Sequence, residues 1–153
     1  MRHSLACLLF FIACAAGICG AQPAVSEADS KAIRAVVQAQ LEAFAADDGV
    51  RAFSYASPGI RQQFGSPEVF MAMVRQGYPV VYRPASTSFL PVLRDGDEIV
   101  QPVRMTDRAG LVWMALYRME KQTNDTWRIG GCTVARTAGT TAQDGSEAPK
   151  AFL

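Results

Sequence analysis

The spacing of apolar residues changes period at Pro84. Before it, apolar side chains recur every three or four residues, which marks one face of a helix. After it they alternate, which marks one face of a strand. A chain that runs helices first and strands second predicts an α+β domain, with the helices gathered on one face of an antiparallel sheet. Residues 57–84, SPGIRQQFGSPEVFMAMVRQGYPVVYRP, carry the change. Ser57-Pro58 and Ser66-Pro67 repeat one device: serine accepts from free backbone N–H groups at a helix start, and proline fits the first turn. The first pair predicts a helix over residues 59–64 ended by Gly65, and the second a helix from Pro67 to Gln76. In the second, Phe70, Met73 and Val74 form an apolar stripe and Gly77 is the stop. Tyr78-Pro79 imposes extended backbone, so residues 80–82 read as a short extra strand. Arg61, Arg75, Tyr78, Tyr82 and Arg83 then form a candidate rim over a ligand.

The start of the chain reads as an address. Arg2 and His3 precede an apolar run over residues 5–18, and Cys19-Gly20-Ala21 offers small residues before Gln22-Pro23. This pattern predicts a secretory signal peptide over residues 1–21, cut after Ala21, and a periplasmic or secreted product. Lipid attachment at Cys14 or Cys19, giving an anchored envelope protein, is the alternative. The apolar run is shorter than the roughly 20 residues of a spanning helix, so no membrane span is expected.

That cleavage decides which functions remain open. It leaves 132 of the 153 residues, with 14 basic against 14 acidic side chains once Arg2 is gone. A chain without basic surplus is poorly suited to nucleic acid. Three of the four cysteines leave with the leader, so Cys132 has no internal disulfide partner and is expected to be buried. The single histidine, His3, leaves as well. A chain without histidine has no Ser-His-Asp or Cys-His nucleophile system and no histidine metal site. No cofactor and no metal is implied.

The mature part reads in order as a flexible lead over residues 22–27, one domain over 28–136 and an aperiodic, disordered tail over 137–153. Ser26 with Asp29 resembles a capping box. The helix that follows, to Ala46, puts Ile33, Val36, Val37, Leu41 and Phe44 on one face. Asp47-Asp48-Gly49 breaks it, with Asp48 placed to cap a short segment anchored by Phe53. Strands are predicted over 86–93, weakened by Pro91, over 98–106, over 111–120 and over 127–135. Leu111, Trp113, Ala115, Tyr117 and Met119 share one face of the third, and Val112, Met114 and Leu116 the other. The latter face is a candidate homodimer surface. In the fourth strand Trp127, Ile129 and Thr133 fall in alternation, and Gly130-Gly131 suggests a bulge. The whole predicts a cone: a long helix and two short ones packed on a curved antiparallel sheet of about four strands.

Much of this domain resembles the DUF4864 family, a bacterial family of unknown function. The resemblance is carried by Ala32-Ile33-Arg34, by Gln40-Leu41-Glu42-Ala43-Phe44, and by Ala56-Ser57-Pro58-Gly59-Ile60-Arg61 with Gln63-Phe64-Gly65. It continues through Phe70, Met73-Val74, Tyr78-Pro79 and Tyr82-Arg83-Pro84. It closes with Trp113, Ala115-Leu116-Tyr117, Trp127-Arg128-Ile129 and Gly131-Cys132. The overall plan looks like the NTF2-like, cystatin-like domains, whose members include isomerases, hydratases, dimerisation modules and ligand binders, so the plan alone selects no function.

The favoured expectation is a non-catalytic domain that binds a small apolar or anionic ligand inside the cone. Its walls would be Trp113, Met105, Phe44 and Phe70, and its polar fringe Tyr82, Arg83, Gln101, Tyr117 and Arg75. One alternative is a structural domain with a filled core that self-associates or docks to an envelope protein. Another is a ketosteroid-isomerase-like enzyme, with Tyr117 and Tyr82 as donors and Asp47 or Asp48 as the carboxylate.

Overall fold

The computed structural model describes residues 24–137 and the backbone of 150–152. The expected signal peptide and most of the expected disordered tail lie outside these residues. Helix α1, Glu27–Ala45, starts where Ser26 accepts from the Asp29 N–H at 3.0 Å. The Asp29 carboxylate also turns to the far end of the chain. It accepts from Trp127 Nε1 at 2.9 Å and pairs with Lys121 at 3.3 Å, tying the first turn of α1 to the last hairpin. Ile33, Val37, Leu41 and Phe44 are buried on one face of α1. Asp48 caps α2, Gly49–Ser54, through the Arg51 N–H. Ser57 and Ser66 cap α3, Pro58–Phe64, and α4, Pro67–Gly77, with proline in each first turn. Gly65, at φ 74°, ends α3 in a conformation that favours glycine. Phe70 of α4 lies 5.4–5.9 Å, ring to ring, from Phe44, Phe53 and Phe64, which locks α1 to α4 together.

Residues 80–82 are not a strand. They belong to α5, Pro79–Tyr82. Tyr78 leaves the helical region but stops short of the extended one, at φ −135° and ψ 55°, and Pro79 then starts a helical turn in which Val80 and Val81 are buried. Among the described residues four short helices therefore follow α1, rather than two.

The sheet contains β1, Ser86–Phe89, β2, Leu93–Asp95, β3, Glu98–Thr106, β4, Val112–Lys121, β5, Trp127–Arg136, and β6, Lys150–Phe152. All ladders are antiparallel, in the order β1-β3-β4-β5-β6, with β2 beside β1 on the same edge of β3. The expected first strand is thus one edge strand broken in two around Pro91. The ladder is open: among the described residues no pairing joins β1 to β6, and the sheet does not curl round to enclose a space. The predicted cone is not formed. Its would-be interior is solid, because Phe44, Phe70, Val103, Met105, Ala115 and Tyr117 are all fully buried in one core.

Two local features explain the remaining differences in the sheet. Arg118 pairs with Gly131 and Met119 with Ile129, so Gly130 is the extra residue of a bulge. The bulge reverses the alternation of β5. Trp127 and Ile129 face the core before it and Cys132 and Val134 after it, while Thr133 turns outward. Leu111 stays in the turn before β4 and is exposed, whereas Val112 and Leu116 lie on the sheet face away from the core. Among the described residues no helix is long and apolar enough to cross a membrane.

Candidate functional site

The described residues surround a cavity of about 470 Å³ at the end of the sheet where β3 turns into β4. Its size lies in the range of small-molecule sites. Gly77, Tyr78, Pro79, Val80, Tyr82 and Arg83 form one wall, from the end of α4 through α5. Asp107, Arg108 and Ala109 of the β3–β4 turn, with Trp113 of β4 and Val134 of β5, form the other.

Each wall is held by one aspartate. Asp107 lies at the head of the β3–β4 turn. Its Oδ1 accepts from the N–H groups of Ala109 and Leu111, both at 2.9 Å, and its Oδ2 accepts from Trp113 Nε1 at 2.8 Å. The indole is thereby fixed against the cavity. The Trp113 bond, supported by the turn N–H groups, holds the Asp107 carboxyl below its ordinary range. An aspartate so satisfied is a poor general base, and it is the carboxylate that lines this cavity.

Asp47 holds the other wall. It sits between α1 and α2 at φ 56°, a left-handed conformation that aspartate tolerates better than most residues. From there its carboxylate takes a hydrogen bond from the Tyr82 hydroxyl, one from Arg75 at 2.9 Å and one from Arg83 at 2.6 Å. Both guanidinium groups also lie over the Tyr82 ring, at 5.5 Å and 4.8 Å. The Tyr82 bond, then that of Arg75, lowers the Asp47 pKa. The Tyr82 and Asp47 bonds raise that of Arg75. Asp47 is a salt-bridge anchor in this arrangement, and Asp48 is a helix cap.

The expected site residues therefore separate into two groups. Tyr82, Arg83 and Trp113 line the cavity, and Arg75 braces it through Asp47. Gln101 and Tyr117 do not line it; both are buried in the core. Gln101 is a repair of the sheet. Leu90 donates to Pro102 O at 3.1 Å, but Pro102 has no N–H to return the bond to Leu90 O. The Gln101 side-chain amide donates to Leu90 O instead, at 2.7 Å, and to Pro102 O at 2.8 Å. The Tyr117 hydroxyl has no hydrogen-bond partner among the described residues, and burial pushes its pKa well up. Phe44, Phe70 and Met105 are likewise core residues.

Asp107, Arg108 and Val134 were not among the expected site residues. A turn aspartate followed six residues later by an inward-facing tryptophan was the available signal for the first. Arg108 makes no side-chain hydrogen bond or ion pair to any described residue, so its guanidinium is unpaired at the cavity rim, beside the Asp107 carboxylate that is held by the turn and Trp113. Among the described residues no group of three His, Cys, Asp or Glu is placed to hold a metal ion.

The family model described as Domain of unknown function (DUF4864) matches residues 26–142, more than half of the chain, and the chain belongs to that family. No curated protein and no solved structure matches it.

Proposed function

We propose that this DUF4864 domain is an exported, non-catalytic binding domain for a small molecule with an apolar body and an anionic group. The observation that carries the reading is a cavity with pinned aromatic walls, Trp113 and Tyr82, and an unpaired Arg108 on its rim. The rings suit an apolar body, and the guanidinium suits a carboxylate or another anion. Rings already fixed by Asp107 and Asp47 lose little freedom when a ligand arrives. Export is supported by the charge and hydropathy pattern of residues 1–21.

The test uses the protein's two tryptophans, with Trp127→Phe making Trp113 the sole reporter. Decanoate, decanol and decyltrimethylammonium are titrated against its fluorescence. The reading expects decanoate to bind most tightly and the cation least, and Arg108→Gln to abolish the preference of decanoate over decanol. Equal binding of anion and cation, or no response to any of them, refutes it. Mass spectrometry of the product recovered from the host envelope tests export: a chain starting at Gln22 supports a free protein, and an acylated chain starting at Cys14 or Cys19 supports an anchored one.

A second reading, self-association, draws on the exposed Val112 and Leu116 on the uncovered sheet face. Analytical ultracentrifugation of wild type and Leu116→Lys tests it: a dimer abolished by the substitution supports association, and a monomer at all concentrations refutes it.

A further inference from the structure

Beside the cavity, and sharing Arg83 and Arg108 with it, runs a more open groove of about 600 Å³ between α1 and β1. Its floor includes Leu41 and Phe89, and Arg34 stands along its length. The Arg34 guanidinium lies 4.9 Å over the Phe89 ring, which orients it without neutralising it. Arg34 has no ion-pair partner among the described residues, and neither has Arg108. Glu42, a carboxylate that also lines the groove, takes a hydrogen bond from the groove residue Gln38 at 3.1 Å and pairs with Arg51, outside the groove lining, at 3.7 Å, not with Arg34 or Arg108. Arg83 is taken by Asp47. The groove thus carries two unpaired guanidinium groups on separate elements, one of them on the shared rim of the cavity.

We infer that the groove is a second subsite, and that the ligand is an elongated amphiphile with two anionic groups. This rests on the binding role proposed for the cavity. The apolar body occupies the cavity, the first anionic group lies at Arg108 on the shared rim, and the second reaches along the groove to Arg34. A monoanionic amphiphile leaves Arg34 unused. The two-charge ligand is selected by charge complementarity at the second position, since apolar burial is the same for both.

The test compares N-decanoylglutamate with N-decanoylglutamine, which differ by one carboxylate, by isothermal titration at low salt. The wild-type protein binds the glutamate compound about fivefold more tightly, the upper end of what an exposed ion pair contributes. Arg34→Gln brings the ratio to one and Arg34→Lys restores most of it, with far-UV circular dichroism and melting temperature showing that both variants fold. Decanoate is run alongside. If decanoate does not bind, the cavity reading and this inference fall together. If decanoate binds but the glutamate-to-glutamine ratio is one in wild type, or is unchanged by Arg34→Gln, the second subsite alone is overturned.

Discussion

Gln101→Leu isolates the repair at the broken sheet edge. Leucine is close in volume to glutamine and keeps the buried packing, so the main loss is the donor to Leu90 O. Pro102 O retains the Leu90 N–H as a partner. A buried acceptor left unpartnered costs about 1–3 kcal/mol. Leu90 is only half-buried, which puts the expected loss at about 1–2 kcal/mol. For a domain of this size that lowers the melting temperature by roughly 5–10 °C. Pro102→Ala supplies the missing backbone N–H, which then reaches Leu90 O itself. In that background Gln101→Leu should destabilise by about 1 kcal/mol less than it does alone. Urea unfolding of the wild type, both single variants and the double variant closes the cycle. Equal losses in the two backgrounds, or a neutral Gln101→Leu in wild type, would refute the repair. The measurement also separates this role from ligand contact, because it is read without ligand.

Asp47→Asn removes the anchor charge while keeping a side chain that tolerates a left-handed backbone. The folded Asp47 pKa lies below its ordinary 3.8, so its stabilisation is present above that value and is lost as pH falls through the folded pKa. Melting temperatures from pH 6 to about pH 2 should therefore fall less steeply for the variant than for wild type below about pH 4, and parallel curves would count against the anchor. Cys132 is buried and burial raises its thiol pKa, so iodoacetamide should leave it intact in the folded protein and alkylate it in denaturant, read by intact mass. Fast alkylation without denaturant would show the β5 interior to be open. Asp107→Ala frees the Trp113 indole, and in the Trp127→Phe background its emission should shift to the red; an unchanged spectrum would mean that packing alone holds the ring.

The elements that could be read from the chain are those decided within a few residues. Serine caps at Ser57 and Ser66 and the aspartate cap at Asp48 depend on one side chain and the next turn, and all three form as the sequence predicts. The β5 bulge was legible in Gly130-Gly131, but its consequence, a reversed alternation that turns Thr133 outward, required the pairing with β4. Gln101 reads as a pocket residue because it is polar and inward; the adjacent Pro102 was the sign that its amide had a backbone to serve. The Asp47 cluster spans 28–36 residues of sequence, and nothing local to Arg75, Tyr82 or Arg83 names their shared partner.

Closure of a sheet is the property that alternation describes least. Alternation assigns faces, whereas curling depends on what covers the edges and on how far each ladder runs. Here the first edge is interrupted at Pro91, and residues that could have lengthened the sheet, Pro79–Tyr82, coil into α5 instead. The same choice makes the cavity. As a helical turn, this segment places Pro79, Val80 and Tyr82 opposite the β3–β4 turn, with Trp113 between them at the end of the sheet. A strand there would have extended the ladder and presented every second side chain to a different face. The proline that follows Tyr78 therefore acts twice. It removes a strand from the sheet and leaves a walled space at the sheet's end, so the binding reading lives at that edge and not in the core.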